Sequence, residues 1–454
     1  MKIVIVGAGE VGFHIASHLA RENKDVVVID QDAAAIRRLS ENIDVQVIQA
    51  SGSSPAALME AGIKSAELML AVTNSDETNL VACLVSDMLS PNTKKLARIR
   101  AADFDEFHET FKIKAPRIET VINPEIEVVK TIVQMMSVPG AVDVGEFADG
   151  RVKLIGVRLE KHEKAIGIPL SELSARVKQK APLISAIIRE DKLVIPRGND
   201  KLLAGDLVYF MSEDRNLTDY LSFFDKHSEP VKRVLIIGGG RIGYRLARLL
   251  EDQPVYTKII EKNSERCKVI ADKLNKAVIL HGDGSDQMLL SEENIHEMDM
   301  VVALTGEEET NILSSLLVKQ MGAKKTITMI SRFSYFPLME RIGLDQIVSP
   351  RLSAINSILQ HIRRGKVLSA RSIKGEEAEV LEAMAMETSD IVDKPLNVIG
   401  MPKGSLVTGI IRDDQFIIPS GSSIIKPGDR IIIFAVKQAI PKIEKILAVK
   451  LEFF

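Results

Sequence analysis

The chain is written twice. Gly7, Gly9 and Gly12 of GAGEVG recur as Gly238, Gly240 and Gly243 of GGGRIG at a constant offset of 231, and the acidic Asp30 recurs at the same offset as Glu261. Gly52-Ser53 answers Gly284-Ser285, and AVTNSDETN from Ala71 answers ALTGEEETN from Ala303, both at 232, so one residue is inserted between the two sets. Further on, AIIREDKLVIPRGNDKLLAGD (186–206) matches GIIRDDQFIIPSGSSIIKPGD (409–429) at an offset of 223. A repeat of this length means that one structural plan is used two times along the chain. The 454 residues also exceed what one core of about 150 residues would use.

Each half divides again by hydrophobic period. Residues 1 to about 122 alternate short apolar runs (KIVIVGAG, DVVVID, VQVIQA, LMLAVT, KKLARIR) with helical segments such as ETNLVACLVSDML, the pattern of βαβ units around a parallel sheet. PEIEVVKTIVQMM (124–136) places Pro in a first helical turn and apolar residues at three- and four-residue spacing, and PRLSAINSILQHI (350–362) is its counterpart. Both predict amphipathic helices whose apolar stripes must be covered, by the other half of the chain or by a second copy. From Pro139-Gly140 the chain turns to short strands with turn dipeptides up to about Phe224, and the polar DKHSEPV (225–231) suits a linker. The expected fold class is α/β. Two tandem Rossmann-like doubly wound parallel-sheet domains (1–123 and 232–349) are each followed by a crossover helix (124–138 and 350–365) and a small β-rich α+β subdomain (139–225 and 366–454).

The glycine loops carry the chemistry. Each follows an apolar strand and opens a helix, where the first glycine permits a tight turn, the second a close approach of pyrophosphate to backbone, and the third helix–strand packing. Asp30 and Glu261 each end the second strand, 18 residues past the third glycine, where a carboxylate accepts from ribose hydroxyls and repels a 2′-phosphate. NAD(H) is therefore expected over NADP(H). Arg241 stands where the first loop has Glu10, so the second site need not take the same ligand, and ATP or ADP is a candidate there. Thr73-Asn74 and Thr305-Gly306 are expected at the ends of the fourth strands, on the carboxyl edge where ligands lie. Arg98 and Arg332 are expected to end the fifth strands, either to reach a phosphate or as solvated surface residues. Asp283 in HGDGS either caps the following helix or touches ribose, capping being its ordinary use.

Other classes of function find little support. Lys plus Arg is 59 against 62 Asp plus Glu, a formal charge of −3, which leaves no overall field for nucleic acid. The two cysteines, Cys83 and Cys267, form neither a disulfide framework nor a zinc pattern and read as core or near-core residues. No apolar run approaches the ~20 residues of a membrane helix, and the N-terminus has no export signal. A dehydrogenase needs an acid or base poised over the nicotinamide. Of eight histidines none recurs in both halves at such a place: His108 and His162 read as surface residues, and His281 as packing beside its turn. The charge runs EEET (307–310) and HIRRGK (361–366) read as solvated faces, and the latter also suits a docking surface for a partner.

A GxGxxG sheet domain, an acidic end to the second strand, a helical crossover and a β-rich tail bearing IPxG…GD, all in tandem over essentially the whole chain, resemble the TrkA family of cytoplasmic regulatory subunits of Trk-type bacterial potassium uptake systems. The resemblance implies RCK domains (regulators of K+ conductance) assembled as a homo-oligomeric ring, a tetramer, under a membrane-embedded channel or transporter. It implies nucleotide-dependent gating of potassium transport from the inner face of the membrane, and no enzymatic activity. It maps one pocket onto Gly7, Ala8, Gly9, Glu10 and Val11 with Asp30, Thr73, Asn74 and Arg98. The second falls on Gly238, Gly239, Gly240, Arg241 and Ile242 with Glu261, Thr305 and Gly306. Alternatives from the residues alone are an NAD-dependent oxidoreductase with a duplicated cofactor domain, or a nucleotide-binding scaffold without a membrane partner.

Overall fold

A computed structural model describes residues 2–138, 140–177, 181–190, 192–226, 230–344, 346–362, 367–373 and 377–447. The first sheet joins β1 (Lys2–Val6), β2 (Asp25–Asp30), β3 (Gln46–Gln49), β4 (Leu68–Ala71), β5 (Lys94–Arg98) and β6 (Thr120–Ile122). Its order is β3-β2-β1-β4-β5-β6, and the pairings are parallel. Helices α1 (Glu10–Arg21), α2 (Ala33–Asn42), α3 (Pro55–Glu60), α4 (Asp76–Leu89) and α5 (His108–Ile113) connect the strands. β1 and β4 are apolar at almost every position because a sheet of this kind is covered on both faces, and Ile3, Val4, Ile5, Met69 and Leu70 are fully buried. The strand order reverses between β1 and β4, so their carboxyl ends open the crevice in which doubly wound folds bind ligands.

α6 (Pro124–Ser137) leads into a five-stranded antiparallel sheet of β7 (Asp143–Phe147), β8 (Val152–Arg158), β9 (Ile184–Arg189), β10 (Lys192–Val194) and β11 (Leu207–Glu213), with α7 (Leu173–Val177) and α8 (Asp214–Phe223). The plan then repeats. β12 (Arg233–Ile237), α9 (Arg241–Leu250), β13 (Tyr256–Glu261), α10 (Ser264–Ala271), β14 (Val278–His281), α11 (Gln287–Glu292), β15 (Met300–Ala303), α12 (Glu308–Gln320), β16 (Thr326–Met329), α13 (Phe336–Arg341) and β17 (Ile347–Val348) give a second parallel sheet in the same order. α14 (Pro350–Ile362) precedes the last sheet, built from β18 (Val367–Ile373), β19 (Ala378–Met384), β20 (Ser405–Arg412), β21 (Gln415–Ile417) and β22 (Arg430–Val436) with α15 (Leu396–Ile399) and α16 (Ile440–Leu447). Within the segments read as linker and docking run, residues 227–229 and 363–366 lie outside the described residues, as does Pro139.

Two compact bodies cut across this order: Met1–Val128 with Ser349–Ile362, and Val129–Val348 with Arg363–Phe454. In the first body α14, which follows the second sheet in sequence, lies against α1 and β6. Ala354, Ile355, Ile358 and Leu359 form one buried stripe along it, so the chain itself covers the face that had called for a partner.

In the second body the two small sheets share a core. Phe147, Leu154, Tyr209 and Met211 meet Val380, Ile432 and Phe434, with the Tyr209 and Phe434 rings 6.2 Å apart. Arg371 pairs with Asp143 at 2.6 Å and Arg430 with Asp149 at 2.7 Å beside this core. The repeated IIR…GD string becomes a pin. Arg189 makes two bonds of 2.8 and 2.7 Å to the buried Asp206, and Arg412 makes the same pair to Asp429 at 2.8 and 2.6 Å.

Replacing Ile358 by Ala removes a fully buried side chain and should cost about 2–5 kcal/mol. Hydrogen exchange over 350–362 should rise with it, and unchanged exchange there would mean that the apolar stripe does not hold α14.

Candidate functional site

Both glycine loops make the same turn. Gly7 and Gly238 sit at φ +113° and +106°, a region that L side chains rarely enter. A Cβ on Gly12 would lie 1.8 Å from the carbonyl oxygen of Gly7, and one on Gly243 2.0 Å from that of Gly238. These four glycines are thus required by the fold alone. Gly9 and Gly240 are different. Each is in extended backbone before its helix, and a Cβ there would have nothing within 4 Å. The space above them and the uncapped amino ends of α1 and α9, neither with a side-chain cap, make an anion seat of backbone N–H groups. Ala8, Val11 and Ile242 are buried, so they can offer a ligand only backbone.

The acidic residues anchor the loops. Asp30 accepts from the Ala8 N–H at 2.5 Å and from the Asp32 N–H at 2.9 Å. Glu261 repeats this with Gly239 at 2.8 Å and Asn263 at 2.7 Å. One bond per oxygen leaves further lone pairs for ribose hydroxyls. Glu10 opens α1 and pairs with Arg38 at 2.6 Å; burial pushes its pKa up, but Arg38, Arg351 and His14 together hold it below the usual value. Arg241, its counterpart, reverses the charge at that position, and Arg266 adds a second cation by donating from Nε to the Gly239 carbonyl at 2.8 Å.

Thr73 and Thr305 lie past the ends of β4 and β15, each tied down by a buried asparagine that sequence reasoning missed. Asn79 accepts from the Thr73 N–H at 3.0 Å and hydroxyl at 2.7 Å, and donates to the Arg98 carbonyl at 2.8 Å. Asn311 does the same for Thr305 (2.8 and 2.8 Å) and for the Met329 carbonyl at 3.0 Å. The signal was present: both asparagines end the repeated string. Asn74 and Gly306 follow these threonines as exposed residues, and a Cβ on Gly306 would again meet nothing within 4 Å.

Two expectations need correction. Arg98 does end β5, but Arg332 stands past β16, which ends at Met329. Its counterpart is Arg100, since Arg100 is held by Asp76 (N–H at 2.9 Å) and Arg332 by Glu308 (N–H at 3.3 Å) at matching positions. The offset of 232 that relates Ala71 to Ala303 also relates Arg100 to Arg332, whereas Arg98 falls at that offset on Ile330. Asp283 does not cap α11, because Asp286 does, accepting from the Met288 N–H. Asp283 instead binds Ser285 and Lys262 (2.9 Å), which keeps its pKa well below the usual carboxylate range. The thiol of Cys83 is fully buried, and that burial pushes it up to about 12; Cys267 is part-buried and donates to the Glu261 carbonyl. His162 is exposed, His281 is exposed with its ring on the Lys262 carbonyl, and His108 is half-buried, not a free surface residue.

The glycine geometry separates fold from ligand. Gly12→Ala should lower stability by about 1–3 kcal/mol through overpacking, whereas Gly9→Ala should leave the denaturation midpoint unchanged. A destabilised Gly9→Ala protein would remove the distinction.

Comparison with known proteins agrees with this geometry. The TrkA-N domain family matches residues 3–124 and 234–350, and the TrkA-C domain family 154–225 and 380–448. The chain is 36% identical to the Trk system potassium uptake protein TrkA of Halomonas elongata over 100% of both chains. It is 37% identical to TrkA homolog 1 of Methanosarcina mazei over 98% of this chain and 99% of that one. Among solved structures, the GsuK RCK domain has a similar fold (TM-score 0.59, 17% identity, 98% of this chain and 94% of that one), as does the GsuK channel bound to NAD (TM-score 0.59, 16%, 98% and 78%). With two glycine loops on two Rossmann sheets and full-length relatives above one-third identity, the chain belongs to the TrkA family.

Proposed function

We propose that this chain is a nucleotide-binding regulatory subunit that gates a Trk-type potassium channel or transporter from the cytoplasmic face of the membrane. The first pocket binds NAD(H), through Gly7 to Gly12, Asp30, Thr73, Asn74 and Arg98. The second binds an adenine nucleotide, ATP or ADP, through Gly238 to Gly243, Glu261, Thr305 and Gly306. The observation that carries the reading is the open space over Gly9 and Gly240, two glycines that the fold itself does not require, beside an acid-anchored turn. The names of the full-length relatives support the transport system, and a GsuK channel solved with NAD and another with ADP support the ligand class. The chain assembles as a tetramer in this reading, and its assembly as a ring is supported by the similar fold of the human SLO3 gating ring (TM-score 0.50, 13% identity). The ion path belongs to a separate membrane subunit; no helix among the described residues is long and apolar enough to cross a membrane.

Gating follows from differential affinity. A nucleotide that binds one arrangement of the sheet domains better than another shifts the population between them. No chemistry on the ligand is needed. Asp30→Ala should weaken NADH binding by about 1.5–3 kcal/mol, the range for hydrogen bonds to a charged group, and calorimetry showing full affinity would count against the first pocket.

The whole reading is tested by potassium flux through the reconstituted membrane partner. A Gly9→Asp, Gly240→Asp double variant places a carboxylate at each of the two positions where a Cβ meets nothing within 4 Å. Flux through the wild-type complex should respond to NADH and ATP, and the variant should be unresponsive; equal responses would overturn the regulatory function.

A further inference from the structure

The two halves diverge at the edge of the sheet that faces away from the glycine loops. Arg233 and Tyr256 are the first residues of β12 and β13 and stand side by side in register. Lys258, two residues further along, is on the same face of β13 as Tyr256. At an offset of 231 the first half has Lys2, Asp25 and the fully buried Val27. The turn after α11 differs as well: Glu293, Asn294 and Glu297 stand at an offset of 232 from Ala61, Gly62 and Ser65. In the first half a Cβ on Gly62 would lie 2.7 Å from the ammonium of Lys2, so that side chain fills the space beside the turn. In the second half the same space is a cavity of about 450 Å³, a size that suits a small molecule.

Both signs of charge line this cavity. Lys258 is mostly buried, and its ammonium donates to the Glu293 carboxylate at 2.6 Å and to the Glu293 carbonyl at 3.2 Å. A cation within a sheet strand is uncommon; here it holds Glu293 by one carboxylate oxygen and leaves the other open. Arg233 pairs with Glu297 through one guanidinium nitrogen, and both side chains are half exposed. Asn294 takes a left-handed φ of +57° where the first half uses Gly62, and Tyr256 and Met298 supply an apolar lining. We infer that this cavity is a further ligand site, for a small zwitterion with a carboxylate and an ammonium a few bonds apart, as in a free α-amino acid. The ligand carboxylate takes the remaining N–H groups of Arg233, a fork suited to it. Its ammonium sits between Glu293 and Glu297, next to the Tyr256 ring. An exposed ion pair contributes little, so parting Arg233 from Glu297 costs little, and each regains an opposite charge from the ligand. A plain anion would face Glu293 and Glu297, and a plain cation would face Arg233 and Lys258, so neither matches the cavity as a zwitterion does. The nucleotide pockets take no part, because they open at the carboxyl ends of the strands.

The test is calorimetry on the full chain with each of the common amino acids at about 10 mM, beside succinate as a plain dianion and putrescine as a plain dication. At least one amino acid should bind, and succinate and putrescine should bind about tenfold more weakly than it does, or not at all. The amide of that amino acid, which lacks the carboxylate charge, should bind about tenfold more weakly than the acid to the wild-type chain, the loss of one charge-assisted contact. In R233Q acid and amide should bind equally weakly, and R233K, which keeps the charge without the fork, should recover part of the affinity for the acid. E297Q should weaken acid and amide alike. Absence of binding by every amino acid overturns the proposal, as does succinate or putrescine binding as tightly as the best of them. An amide that equals the acid on the wild-type chain, or full affinity for the acid in R233Q, overturns it too.

Discussion

The approach of Gly12 to the carbonyl of Gly7, too close for any Cβ, is the contact on which the rest of each half depends. It starts α1 directly under the end of β1 and aims its amino end into the crevice between β1 and β4. The Gly7 N–H is thereby bonded to the Ile29 carbonyl at 2.8 Å, which brings the loop within reach of Asp30. On the other side, Gly7 is so near the Thr73 backbone that a Cβ would sit 2.9 Å from its nitrogen, and Asn79 then fastens Thr73 to the end of β5. Turn, acid, threonine and asparagine therefore form one chain of short contacts around the crevice. Gly238, Gly243, Glu261, Thr305 and Asn311 form it again. A larger residue at either packed glycine would shift every member, which explains why a scaffold of this kind is copied whole.

Much of this was legible because the duplication acts as an internal control. A glycine or carboxylate that recurs at one offset in a second half is held there by a shared geometry, and both sheets, the crossover helices and the acid-anchored loops follow from it. What escaped had a physical reason in each case. Asn79 and Asn311 act through buried backbone bonds, and a polar residue inside a helix pattern reads as solvated until the fold shows what it faces. Arg332 was misplaced because two arginines, Arg98 and Arg100, stand near the end of β5, and only the offset of 232 with the matching backbone bonds to Asp76 and Glu308 selects Arg100 as its counterpart. Asp283 and Asp286 both suit an amino cap, and only the helix start decides between them. The cover of α14 was out of reach because an amphipathic stripe says that it is covered and is silent on what covers it.

The two halves part company where a ligand would be. Their packing glycines and asparagine staples are identical, and the backbone bonds from Arg100 to Asp76 and from Arg332 to Glu308 match, although the guanidinium of Arg100 stays on Asp76 while that of Arg332 turns to Glu309 and Tyr335. At the first turn of the phosphate helix, however, Glu10 with its Arg38 partner faces Arg241 with Arg266 nearby. A helix amino end already favours anions. A carboxylate there moderates that preference, while two cations increase it. The first pocket is thus electrostatically the more sparing of the two, and its extra positive charge comes from the far edge of the crevice, at Arg98, and not from the loop.

The proposed gating has an energetic requirement. Moving a two-state equilibrium from 1:99 to 99:1 takes about 5.5 kcal/mol of differential binding, whereas a single charge-assisted hydrogen bond supplies about 1.5–3 kcal/mol. One phosphate contact in one pocket is therefore too weak to act as a switch. Contributions must add, and they add only if the pockets bias the same movement. α14 follows the second sheet in sequence and packs on α1 and β6 of the first, so chain connectivity alone ties this helix to both sheets. Under the proposed regulatory function, two pockets whose ligands bias one movement each need to supply only part of that difference.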